Sequence, residues 1–160
     1  MSKHGFISPL KVERLAITSA SIEFQSMPTS PNYDVSMTMS MGLVSPDDAR
    51  ADDRIRVEVP LDASLEVSED GKPDRHLGTI HVSGITTVSL PNEIVKDDEG
   101  GGALDYLRAS GISILYGHMR SHMMAMSIGN PMGPFIMPAI DPVAFLKSIK
   151  ENEAANEPQK

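Results

Sequence analysis

The feature that most restricts this chain is a change of hydrophobic period near residue 100. Up to Leu90 apolar residues recur at every second position, and from Leu104 onward they recur at steps of three and four. A period of two suits a strand with one buried face, and a period near 3.6 suits a helix with one buried stripe. The chain therefore reads as strands first and helices after. That order argues against alternating βαβ units and for an α+β fold: a four-stranded antiparallel sheet packed with one long and one short C-terminal helix.

The first strand spans Val12 to Phe24. Leu15 and Ile17 share one parity and Ile22 and Phe24 the other, so a bulge is expected near Ser19-Ala20. A Pro/Ser/Thr/Asn cluster from Met27 to Asn32 makes a loop. Val35, Met37, Met39, Met41 and Leu43 then alternate strictly with Ser36, Thr38, Ser40 and Gly42, a half-buried second strand. The acidic stretch from Ser45 to Asp53 reads as a solvated hairpin connection. Ile55 to Val67 forms the third strand, in which Pro60 lacks an amide donor and belongs on an edge or at a bulge. Leu77 to Leu90 forms the fourth, interrupted or bulged at Gly84.

Asp97-Asp98-Glu99-Gly100-Gly101-Gly102 ends the strand pattern and reads as a flexible linker. Its acids would repel phosphate, and it lacks the spacing of a phosphate-binding loop. A long helix begins near Ala103 or Leu104, weakened or kinked at Gly111 and Gly117, and Gly129-Asn130-Pro131 ends it. Pro138 favours an extended Phe135-Ile136-Met137. Asp141 is a good N-cap with Pro142 at the first helical position, opening a short helix through Ile149. Residues 1–150 are expected to form one domain, and the polar stretch 151–160 a disordered tail.

The chemistry that the residues exclude is as informative. Twenty-two acidic against 14 basic residues give a formal charge of -8, which disfavours nucleic acid. Without cysteine there is no disulfide framework, thiolate metal site or cysteine nucleophile. His118 and His122 stand four apart on the helix, but no carboxylate completes a known metal-ligand pattern, and they read as interface histidines. No nucleophile lies near an oriented base, so no catalytic residue, metal or cofactor is expected. Neither a signal-peptide core nor a membrane span is present, and the expected location is the cytoplasm.

Eleven methionines in 160 residues are a marked excess, and they cluster: Met37, Met39 and Met41 in one segment, Met119 to Met137 in another. An unbranched thioether adapts to irregular partners, which suits a surface that binds many sequences.

Several short motifs then fall in a familiar order. Ile114-Leu115-Tyr116, Arg120 one turn on, Gly129, Pro134-Phe135-Ile136-Met137-Pro138 and Pro142-Val143-Ala144-Phe145 together resemble the SecB family of protein-export chaperones. Ser21-Ile22-Glu23-Phe24 and the Pro28 to Pro31 loop are similar to that family's first strand and its exit. The resemblance implies a homotetramer built as a dimer of dimers, with long helices buried between sheets. It also implies ATP-independent holding of unfolded or precursor polypeptides in apolar grooves. Candidate client-binding residues are Met37, Met39, Met41, Leu43, Ile85, Met119, Met123, Phe135 and Met137. Family members that deliver clients to the SecA motor carry acids on the outer sheet face. Here the matching positions are Ser21, Gln25 and Thr79, none of them acidic, although Glu23 lies between the first two. Glu23, Gln25, Leu77 and Thr79 are thus weak candidates for partner docking, and the departure counts against SecA. A solitary SecB-like chaperone of a toxin-antitoxin system and a purely structural oligomerisation module are the alternative readings.

Overall fold

The structure, a computed structural model, describes residues 9–42, 44, 51–96, 100–130 and 132–156. Four strands come first: β1 (Lys11–Phe24), β2 (Tyr33–Met41), β3 (Arg54–Glu69) and β4 (Lys72–Pro91). Three helices follow: α1 (Asn92–Lys96), α2 (Gly102–Ser127) and α3 (Pro142–Asn156). The strands make one antiparallel sheet in the order β1-β4-β3-β2. The α+β architecture read from the change of period is the one observed.

Alternation decides which face is covered. Val57, Val59, Leu61, Ala63, Leu65 and Val67 on β3, with Ile80, Val82, Val88 and Leu90 on β4, share a core with Leu107, Ile112, Leu115, Met119 and Met123 of α2. Each of these side chains other than Ala63 contributes about 1.5–3 kcal/mol when fully buried, so this single layer of contacts dominates the stability.

Two glycines let the layers approach. A Cβ on Gly84 would lie 2.8 Å from Leu115 Cδ1 and 2.9 Å from the Ala16 carbonyl. A Cβ on Gly111 would lie 3.1 Å from Val59 and 3.2 Å from Val88. The expectation that the fourth strand is interrupted or bulged at Gly84 is thereby corrected: β4 pairs with β3 without a shift from Gly78 to Pro91, and the glycine makes room for the helix. α2 likewise runs as one helix through Gly111 and Gly117.

The irregularity near Gly84 lies in β1, whose register against β4 shifts at Glu13 and again at Thr18, the second shift facing Gly84 and Ser83; β4 itself is irregular only further back, where Leu77 is skipped in the pairing with β3. The second shift is the bulge expected near Ser19-Ala20, and it turns Ile22 and Phe24 inward like Ile17 before them. Pro60 stands on an interior strand rather than an edge or a bulge, but beyond the end of β2. The Gly42 amide donates to its carbonyl at 3.3 Å, and proline returns no bond.

At α3 the Asp141 carboxylate accepts from the amides of Val143 (2.9 Å) and Ala144 (3.1 Å), as a capping residue should. The helix continues to Asn156, so residues 151–156 are helical and not the disordered tail expected there; 157–160 lie outside the described residues. Lys150 Nζ pairs with Asp105 at 2.5 and 2.7 Å and fastens α3 to α2. The short helix α1 was not expected from the sequence. Residues 45–50 of the expected hairpin connection and 97–99 of the expected linker also lie outside the described residues.

The outer face of the sheet is polar and clamped by ions. Arg56, only 8% exposed, holds Glu13 at 2.6 Å, and Ser89 donates to the same carboxylate at 2.8 Å. Burial works against ionised Glu13, but the hydrogen bonds from Arg56 and Ser89 outweigh it and lower its pKa. A second clamp lies at the far end of β3 on the helix-bearing side, where Glu69, opposite Tyr33, accepts a hydrogen bond from Thr29 and pairs with Lys72 and Arg75. Those partners, Thr29 foremost, hold its carboxyl below the ordinary 4.5.

Two outcomes are expected. Gly84→Ala should lower unfolding stability by about 1–3 kcal/mol through overpacking, read as a shifted urea midpoint. The two depressed carboxylates contribute stability that is fully present above the ordinary glutamate value and lost as pH falls through their lowered folded values. Urea midpoints measured from neutral to acid pH should therefore fall, and Glu69→Gln should flatten that fall while lowering the neutral midpoint.

Candidate functional site

A four-stranded open sheet leaves two strand edges, each a row of backbone donors and acceptors able to pair with another chain. β1 is the blunted one. Its two register shifts break the row, and Lys11, Glu13, Arg14 and Glu23 place charge along it. β2 pairs with β3 without a single shift and carries no proline, lysine or arginine. Among the described residues no backbone hydrogen bond crosses its outer edge.

Register settles which residues face that edge. Gly42 and Val44 bond to Pro60 and Glu58, so the even positions of β2 are the ones paired with β3. The amides and carbonyls of Val35, Met37, Met39 and Met41 therefore point outward. These same residues turn their side chains to the helix-bearing face, where they are half-buried against the core. One residue set thus offers a free strand edge and a row of three thioethers.

Beside this row the segment linking α2 to α3 crosses the inner face without secondary structure. Phe135 and Met137 point in, and Tyr33 stacks on Phe135 with centroids 6.0 Å apart. The Tyr116 hydroxyl donates to the Pro138 carbonyl at 2.6 Å and approaches Met37 Sδ at 3.4 Å. Burial pushes the Tyr116 phenol above its ordinary pKa against the opposing charge of Arg120, so it stays a donor. Arg120 Nε donates to the Met137 carbonyl at 3.0 Å, a role the sequence did not suggest for it.

The expected site residues divide accordingly. Met37, Met39 and Met41 come together on β2, while Leu43 lies outside the described residues. Met119, Met123, Phe135 and Met137 are buried in the subunit core, so they offer no exposed surface; alternation and helical period mark a face, not whether anything covers it. Ile85 is half-buried on the opposite, outer face, because β4 runs without a shift from Gly78 onward and turns Thr79, His81, Ser83 and Ile85 there. Glu23 and Thr79 are cross-strand partners on that outer face, and Gln25 is exposed. Leu77 is fully buried and belongs to the core rather than to a docking surface. Tyr33 was overlooked: its place at the loop-to-strand boundary was legible, but its stacking partner lies 102 positions away and was not.

One polar cluster on the outer face bears on catalysis. Ser83 Oγ donates to Asp62 Oδ2 at 2.6 Å and lies 3.0 Å from His81 Nε2. The same Asp62 oxygen lies 3.4 Å from that same ring nitrogen. A hydrolytic triad needs the acid on one ring nitrogen and the hydroxyl on the other, so this cluster is not set up to activate Ser83. Among the described residues no group of three His, Asp or Glu converges as a metal site, and no helix is long and apolar enough to cross a membrane.

No family model matches the sequence, and no curated protein matches it. The structure, however, is similar to that of the SecB-like chaperone Rv1957 of Mycobacterium tuberculosis, solved in complex with a ChAD peptide from the Rv1956 HigA1 antitoxin. The TM-score is 0.59 at 8% identity, covering 82% of this chain and 90% of that one. The chain has the SecB-like fold, as its motif order suggested.

Proposed function

We propose that this SecB-like chain is an ATP-independent holdase that binds extended stretches of non-native or precursor polypeptide along β2. The observation that carries the proposal is the coincidence, in Met37, Met39 and Met41, of an unblunted strand edge with a row of adaptable apolar side chains. A polypeptide added there as a further strand gains about 0.5–1.5 kcal/mol per hydrogen bond and part of the roughly 1.5–3 kcal/mol for each thioether it covers. The sum is enough for reversible capture, and the main-chain bonds do not depend on client sequence. No catalytic step is part of this reading.

A dedicated client, as in a toxin-antitoxin system, is the favoured form. The structural neighbour was solved with an antitoxin peptide, and none of Ser21, Gln25 and Thr79, the positions where the resemblance places acids for SecA, is acidic here. Delivery to an export motor is not part of the proposal. The cytoplasm is the proposed location.

Self-association, as a dimer of dimers, is the second half of the proposal. It is supported by the solvent side of α2. Across its 26 residues the charged side chains are Asp105, Arg108 and Arg120, all half-buried and engaged within the subunit. What faces outward is Tyr106, Ser113, Gly117, His118, Ser121, Met124, Ala125 and Met126. A solvated helix ordinarily carries charge there. Gly117 has no neighbour within 4 Å of its would-be Cβ, so internal packing gives no reason for a residue costing about 1 kcal/mol relative to alanine.

Light scattering of the purified protein, alone and with a refolding denatured client, tests both halves. A tetramer mass and suppressed aggregation without ATP are expected. Met39→Asp with Met41→Asp should abolish suppression and keep the fold, as seen by circular dichroism. Gly117→Arg should reduce the mass. A monomer without effect on aggregation would contradict the reading, and a tetramer with no effect on any client would leave a purely structural module.

A further inference from the structure

The segment from Met132 to Ile140 is built like a captured client. Burial alternates along it: Phe135 and Met137 are buried, while Ile136, at 62% exposure, and Pro138 face solvent. Its middle makes no backbone-to-backbone hydrogen bond among the described residues. Side chains of α2 fasten it instead. Ser127 Oγ accepts from the Phe135 amide at 2.6 Å, Arg120 donates to the Met137 carbonyl, and Tyr116 donates to the Pro138 carbonyl. These three side chains read main-chain groups that any extended polypeptide presents. Selectivity is left to the two buried side chains, one aromatic and one thioether, two residues apart.

We infer that the hollow bounded by Tyr33, Met37, Tyr116, Arg120 and Ser127 is a polypeptide-binding site that Phe135 and Met137 of the same chain occupy. Its ligand is an extended segment with an aromatic and an aliphatic or thioether side chain at positions two apart. The inference rests on the polypeptide-binding reading of β2 and extends it. Met37 belongs both to the strand row and to the wall of the hollow, where its sulfur meets the Tyr116 hydroxyl. A client lying along β2 therefore reaches the hollow by displacing residues 134–138. Pro134 and Pro138 limit that segment to extended conformations and supply no amide donors, which keeps it ready to return.

A fluorescein-labelled peptide copying residues 132–140 tests the site. Phe135→Ala empties the aromatic half of the hollow without altering its walls, so the substituted protein should bind the peptide roughly tenfold or more tighter than the unsubstituted one. A control peptide with serine in place of Phe135 should not discriminate. In the unsubstituted protein, excess peptide should speed hydrogen exchange of the Phe135 amide, a readout that does not depend on the variant folding. Equal peptide binding by both proteins, or an exchange rate unmoved by bound peptide, would overturn the inference. If the protein suppresses aggregation while either of those results is found, the hollow fails and the β2 reading stands. If Phe135→Ala gains the peptide while Met39→Asp with Met41→Asp leaves suppression intact, the β2 reading fails and the hollow stands.

Discussion

The rest of the structure depends on where α2 can sit. A helix settles closest where the sheet beneath it lacks a side chain, and Gly84 on β4 with Gly111 on the helix provide that place. α2 accordingly packs mainly on β4, β3 and β1, and the Tyr116 to Met37 contact links it to β2. The inner face of β2 is left partly uncovered, so Met37, Met39 and Met41 remain half-buried while Met119 and Met123 disappear into the core. The open methionine row is thus a geometric consequence of close packing two strands away. The linking segment with Phe135 and Met137 covers part of what the helix leaves open.

Much of this was legible in the sequence for identifiable reasons. Alternation along Val57 to Val67 gave the buried face of β3 residue by residue, because a strand's period admits one parity only. Asp141-Pro142 announced the start of α3 because both residues act locally. The parity change between Ile17 and Ile22 announced a bulge for the same reason. Gly84 misled because a strand glycine signals either a bulge or a close approach, and choosing between them requires knowing that Leu115 lies across from it. The site was less legible than the fold. Met119 and Met39 carry the same side chain and each lies on the apolar face of its own element, yet one is core and the other sits at an edge. The difference is set by strand order, and β2 lies on an edge only because β4 inserts between β1 and β3.

The two edges show opposite treatments of one hazard. β1 is broken twice and charged, and the Arg56–Glu13 pair with Ser89 ties its first bulge to β3 and β4. The uninterrupted β2 has no register shift and a single charge, Asp34, at its start. An edge left open and lined with methionine is an aggregation liability unless something is meant to occupy it, and the physical case for a polypeptide partner rests on that asymmetry.

The most direct test is amide hydrogen exchange at single-residue resolution on the protein, alone and saturated with a denatured client. The account requires slowed exchange at Val35, Met37, Met39 and Met41, whose amides face the open edge, with the even positions of β2 little changed because β3 already protects them. Protection confined to the outer sheet face, around Thr79, His81 and Ser83, with the β2 amides unmoved, would contradict it.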